Sequence, residues 1–282
     1  MVKKILVPTD FSIQAEIAVD AARKIAHQLR NEIIFYHCSE ELPSEWESWP
    51  LERQEQDSVH FPKYQFLVQK MQELTDRCSA DMLTCTFIIE SGNFLQKIEK
   101  LVGSEAYDLI IMGSHGASGK QEYFIGSNTQ KVIRKVHNNL MIIKEPLSDS
   151  TFEKVLFATN LGLADQEAFS HFLKFIKPFQ VKEIHLLTVD TPGFFTQPRV
   201  LVEERQQDFK KMATAYHCET HFAGNFTVEH GIRKFAGDLG VDLIAVSNRE
   251  RHPLKRIFAG SNVEMLANHS DLPVLSLDFK VT

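Results

Sequence analysis

Long apolar runs are missing from this chain. None approaches the roughly 18 residues that a membrane-crossing helix requires, so no membrane partner is expected. Cysteine is scarce. Cys38, Cys78, Cys85 and Cys218 show no CxxC spacing, which argues against a redox pair or a disulfide scaffold and for reduced, mostly buried thiols. An excess of one charge is also lacking. A formal net charge of −6 on 282 residues argues against general polyanion binding, so no nucleic-acid partner is expected. The opening Met1–Pro8 is basic and then apolar, but Thr9-Asp10 ends the run too early for a signal peptide. It reads as a first β-strand, with the cytoplasm as the expected compartment.

What remains is the composition of a globular protein, 43% apolar and 24% charged, long enough for two domains. An internal repeat sets the architecture. Ile5-Leu6-Val7-Pro8-Thr9-Asp10 is matched by Val155-Leu156-Phe157-Ala158-Thr159-Asn160. Each is followed by a helical pattern, carried in the first half by Ile17, Ala21, Ile25 and Leu29. Strand-like runs follow from Glu32 to Cys38 and from Glu183 to Val189, then at 84–90 and at 221–229. Strands at Asp108–Met112 and Asp242–Val246 precede a last helix and a last strand in each half, Leu140–Lys144 and Pro273–Leu277. Alternating strands and helices imply α/β domains with doubly wound, Rossmann-like parallel sheets. Glu145–Ser150 is a polar linker, giving domains at 1–146 and 151–282.

The first half holds about sixteen more residues, mostly between Ser39 and Tyr64. That stretch carries both tryptophans, Trp46 and Trp49, among Glu40, Glu41, Glu45, Glu47, Glu52, Glu55 and Asp57. It reads as a solvated loop or helix start, or else as a lid or partner-contact segment beside a ligand site. The segment His217-Cys218-Glu219-Thr220-His221 would place two histidines on one helix face. No further ligand set is evident, which favours a chance surface cluster, and no metal site is expected.

The pattern richest in chemistry is Gly113-x2-Gly116-x9-Gly126-Ser127-Asn128, directly after an apolar strand. Glycine lets phosphate oxygens approach backbone N–H groups. A helix starting near Ser127 would aim free N–H groups and a positive dipole end at those oxygens, with Ser127 as cap, phosphate ligand or both. The glycines could also serve only as turns. This is not a Walker A loop. Ser114 stands where Gly119-Lys120 would need its first glycine, and Gln121 where a magnesium-binding Ser or Thr belongs. The GxGxxG dinucleotide spacing is absent as well.

With the opening Lys4–Ser12, this pattern resembles the universal stress protein family, and the resemblance covers nearly the whole chain as two tandem domains. It implies an adenine nucleotide alpha hydrolase-like fold, the domains packed as a pseudo-dimer with Leu140–Ile143 and Val274–Leu277 meeting. It also implies a nucleotide-dependent stress-response regulator with ATP, AMP or ADP as ligand, with or without magnesium, and at most weak ATPase activity. A slow ATP-hydrolysing enzyme and a nucleotide-independent scaffold are the alternatives. A protein partner and further homodimerisation are open. By the resemblance, Asp10 would sit near adenine and ribose, Pro8 and Thr9 would shape the turn, and Cys38 would offer backbone groups to the base. Met112 would line the base pocket, Gly113 and Gly116 would cradle ribose and phosphates, and Gly126, Ser127 and Asn128 would hold the phosphates. His115 could approach the phosphates or be a surface histidine.

The second copy departs at Asn160, Ser247 and Glu250, while Gly260-Ser261 survives. Glu250 is the severe change. Like charges 4 Å apart repel by about 4 kcal/mol at an effective dielectric of 20. Arg249, Arg251, Lys255 and Arg256 could offset it and bind another anion, or form a solvated basic loop. The expectation is one working site, in the first half, and one relic.

Overall fold

The computed structural model describes residues 3–114, 125–148, 152–191, 198–248 and 262–278. Two compact units emerge. The first contains β1 (Lys4–Pro8), α1 (Ile13–Leu29), β2 (Glu32–Ser39), a 3-10 turn at Trp46–Ser48, α2 (Leu51–Gln56), α3 (Phe61–Ala80), β3 (Cys85–Ser91), α4 (Phe94–Ser104), β4 (Leu109–Gly113) and α5 (Ser127–Lys135). Its strands run in the order β3-β2-β1-β4, all parallel. Such strands are covered on both faces. The sequence meets that demand with unbroken buried runs, Ile5 to Val7 and Leu109 to Met112. Helix α1 covers them with Ala15, Ala18, Val19, Ala22, Ile25 and Ala26. Ser12 starts this helix by accepting a hydrogen bond from the Ala15 N–H, and Arg30 ends it at φ 53°.

The second unit contains β5 (Leu140–Ile143), β6 (Lys154–Ala158), α6 (Leu163–Ile176), β7 (Glu183–Asp190), α7 (Arg199–Met212), β8 (His217–Gly224), α8 (Val228–Leu239), β9 (Leu243–Ser247), a helix at Asn262–His269 and β10 (Val274–Leu277). The strand order is β5-β10-β9-β6-β7-β8. All pairs are parallel except β5 with β10, which are antiparallel with Met141 opposite Leu275. The two last apolar strands therefore meet, and β5 packs with the second unit although it ends the first repeat. Its four residues are all buried. Phe157, Phe169, Phe172 and Phe209 form an aromatic cluster under this sheet, with ring centroids 5.0 to 6.1 Å apart.

Three sequence expectations need adjustment. The run expected as a strand at 221–229 is a strand from His217 to Gly224, in register with β7 from Glu183 onward. Thr227 then caps α8 by accepting from the His230 N–H, so Val228 and Glu229 are helical. The segment His217–His221 is accordingly not a helix. In the tryptophan stretch the helix-start reading holds, since α2 and α3 begin within it, but Trp46 itself is not solvated. Trp46 is 1% exposed, its backbone N–H donates to Ser91 Oγ at 2.9 Å, and the Gln54 amide donates to its carbonyl. Trp49 packs against Trp46 with ring centroids 5.2 Å apart and planes tilted by 40°, and it carries the Arg53 guanidinium 3.7 Å over its ring. Burial pushes against ionising Glu47, but Lys97 at 2.5 Å and the Ser91 hydroxyl and N–H hold its pKa below the usual value.

Candidate functional site

The C-terminal ends of β1, β2 and β4 and the start of α5 surround a cavity of about 260 Å³. This is the edge where open α/β sheets bind ligands. Pro8, Thr9, Asp10, Cys38, Met112, Gly113, Gly126, Ser127 and Asn128 all line it. His115 and Gly116 lie outside the described residues, as do Glu250, Gly260, Ser261 and the basic run from Arg249 to Arg256. His37, Ala15, Phe94 and Thr129 complete the lining and carry no motif that marks them in the sequence.

The turn after β1 is built by two side chains. Thr9 Oγ1 accepts from the Phe11 N–H at 3.0 Å, and Asp10 Oδ1 accepts from the Ser12 N–H at 3.1 Å. Phe11 adopts φ 60°, left-handed for a bulky residue. Across the cavity the two ends of the glycine pattern come together. The Gly126 N–H donates to the Ser114 carbonyl at 2.6 Å, and the Thr129 hydroxyl donates to the Gly113 carbonyl at 2.9 Å.

Gly126, not Ser127, is the residue preceding the first helical turn, and as a glycine it gives α5 no side-chain cap. Ser127 is thus the first helical residue, exposed on the cavity wall with Asn128. The first N–H groups of this helix receive no acceptor from a cap side chain, which suits an anion. Gly113 has a different reason to be glycine. A Cβ there would stand 2.5 Å from the Gln14 carbonyl oxygen, so packing against the first turn of α1 already demands it.

His37 Nδ1 lies 2.8 Å from the Thr9 carbonyl, which can only accept, so the neutral ring is the Nδ1–H tautomer. Burial lowers the His37 pKa against the opposing effects of Thr9 and Asp10. A histidine with a lowered folded pKa is protonated more readily in the unfolded chain, so its contribution to stability is complete above the ordinary value of about 6.5 and falls away below it. The difference in Tm between the wild type and His37→Gln is therefore expected to shrink as pH falls from 7.5 to 5. A constant difference in thermal melts across that range would contradict this. The Cys38 thiol, donating to the Gly92 carbonyl at 3.2 Å, is pushed up to about 11 by burial and is no thiolate nucleophile at neutral pH.

The second unit repeats the turn: Thr159 Oγ1 accepts from the Leu161 N–H, Asn160 Oδ1 accepts from the Gly162 N–H, both at 2.8 Å, and Leu161 has φ 63°. Its cavity is not filled in. It measures about 380 Å³ and is lined by Asn160, Asp190, Ser247 and Asn262 among others. Asp165, at the place of Ala15, is a lining residue the sequence reading missed. It is 4% exposed and accepts from the Thr159 hydroxyl and the Asn160 N–H at 2.8 Å. Thr188 Oγ1 and Ser247 Oγ are buried in this wall without hydrogen-bond partners. The altered pattern has changed the polarity of this pocket rather than closed it.

No helix among the described residues is long and apolar enough to cross a membrane. A universal stress protein from Archaeoglobus fulgidus has a similar solved structure, with TM-score 0.76 and 18% identity, covering 98% of each chain. The functionally unknown protein PA1789 from Pseudomonas aeruginosa is similar at TM-score 0.65 and 14% identity, over 98% of this chain and 92% of that one. In sequence, Universal stress protein MJ0577 from Methanocaldococcus jannaschii is 28% identical over 164 residues, 51% of this chain and 96% of its own length. The model of the Universal stress protein family matches twice, at residues 1–144 and 151–277. The chain belongs to the universal stress protein family and carries two of its domains in tandem.

Proposed function

We propose that the first domain, residues 1–146, binds an adenine nucleotide, with ATP the favoured ligand, and that the chain acts as a nucleotide-dependent regulator in the stress response of the cytoplasm. The observation that carries this reading is the α5 N-terminus, whose cap residue Gly126 brings no side chain to it, opening on the cavity at the end of β4. Ser127, Asn128 and the backbone of Gly126 would meet the phosphates, while Met112, Pro8, Thr9 and Asp10 would surround the nucleoside. The raised Cys38 pKa favours binding over covalent chemistry in this cavity. The carboxylates of Asp165 and Asp190 make the second cavity a poorer place for phosphates than the first.

Ser127→Glu separates binding from folding. A carboxylate in the first turn of a helix favours the helix by about 0.3–1 kcal/mol. The same charge repels a triphosphate at that end, so ATP affinity should fall by roughly tenfold or more. Calorimetric titration with ATP, AMP and adenosine is the measurement. ATP binding lost in the variant, with adenosine binding and Tm kept, supports the reading. Equal ATP affinity in both proteins, or no nucleotide binding by the wild type, would sink it.

A further inference from the structure

A cluster of ligand-type side chains lies on β7 and β8. Alternate residues of a strand share a face, so His217, Glu219 and His221 point the same way from β8. The strand register sets His185 of β7 directly opposite Glu219. His185 Nδ1 and His221 Nε2 are 3.0 Å apart, and Glu219 Oε2 lies 3.8 Å from the first and 3.7 Å from the second. Two imidazole nitrogens and a carboxylate oxygen thus converge on one point. A tetrahedral zinc ion with bonds of about 2.0–2.1 Å holds its ligand atoms roughly 3.3 Å apart, close to this triangle.

We propose that His185, Glu219 and His221 form a zinc-binding site in the second domain, with solvent at the fourth position. The groups around the triangle fit the role. His185 is 3% exposed, and its Nε2 has no hydrogen-bond partner but faces Glu183 Oε2 at 3.4 Å. Coordination through Nδ1 fixes the proton on Nε2, toward that carboxylate, the usual outer-shell arrangement for a metal-bound histidine. Glu183 is itself held by Lys154 at 3.3 Å. His217 Nε2 takes the other Glu219 oxygen at 3.0 Å and leaves Oε2 turned toward the two rings. The His221 ring packs on Phe235, centroids 4.7 Å apart, while the Gln206 amide donates to the His221 carbonyl. Two imidazoles with one carboxylate suit zinc better than magnesium or calcium. Glu219 remains about half exposed, which leaves the ion open to solvent on one side.

The test uses the metal-stripped full chain, Zn²⁺ competed against a chromophoric chelator, and Co²⁺ as a spectroscopic substitute. The wild type should bind one equivalent, and its Co²⁺ form should show visible d–d bands without the near-ultraviolet thiolate band that cysteine ligation gives. Glu219→Gln and His221→Gln should each weaken binding by roughly a hundredfold, and His217→Gln by about tenfold. Because His185 is buried, His185→Gln is read only beside circular dichroism showing an intact fold. Zinc should raise the Tm of the wild type and not that of the Glu219→Gln/His221→Gln double variant. Binding by the double variant as tight as wild type, a thiolate band, or no stoichiometric wild-type binding would each overturn the site.

Discussion

Trp46→Ala should lower the stability of the first unit by about 3–5 kcal/mol, the cost of removing a large buried aromatic side chain. The ring packs against Trp49, His60 and Tyr64 with centroids 5.2 to 6.1 Å away. Urea unfolding followed by the fluorescence of Trp49, the one tryptophan left, reports this unit directly. No residue from 39 to 64 lines the first cavity, so nucleotide affinity should change little under native conditions. A loss below about 1 kcal/mol would mean that the ring is not held in the core, and the lid reading of this segment would return.

The nucleotide-free protein with Gly113→Val is expected to melt well below the wild type, losing about 3 kcal/mol. The added Cβ meets the carbonyl oxygen and carbon of Gln14 at 2.5 and 2.8 Å, and these are backbone atoms that cannot rotate away. Relieving the clash moves the first turn of α1, including Ala15 on the cavity wall. The variant would therefore lose nucleotide binding even if no phosphate ever approached Gly113. A wild-type melting curve for the nucleotide-free variant would show instead that the glycine is free to serve a ligand.

The sequence displayed its repeat, its parallel strands and the first cavity because those features are written locally. Ile5 to Val7 and Leu109 to Met112 are unbroken apolar runs, and the ends of such strands converge wherever the sheet is doubly wound. Other features depend on partners distant in the chain. His185 gives no sign that it faces Glu219, 34 residues later, until the register of β7 and β8 is known. Trp46 sits among acidic residues and looks solvated, yet Ser91, Lys97 and Gln54 take up the polar groups around it. Asp165 lies at a position read only as part of a helix, and its burial follows from its bond to Thr159 across the turn. Gly113 was legible as a necessary glycine, but the neighbour that makes it necessary is the backbone of Gln14.

The paired turns after β1 and β6 bear on how such sequences carry information. Thr9 and Thr159, and Asp10 and Asn160, spend their side-chain oxygens on the backbone of the next residues, holding Phe11 and Leu161 in a conformation that bulky residues seldom adopt. That work is the same in both halves, whatever the cavities contain. A threonine followed by Asp or Asn at this place is therefore a signature of the chain reversal itself, and silent about the ligand. The residues that distinguish the two pockets stand further on, where Ala15 gives way to Asp165 and Gly113 to Ser247.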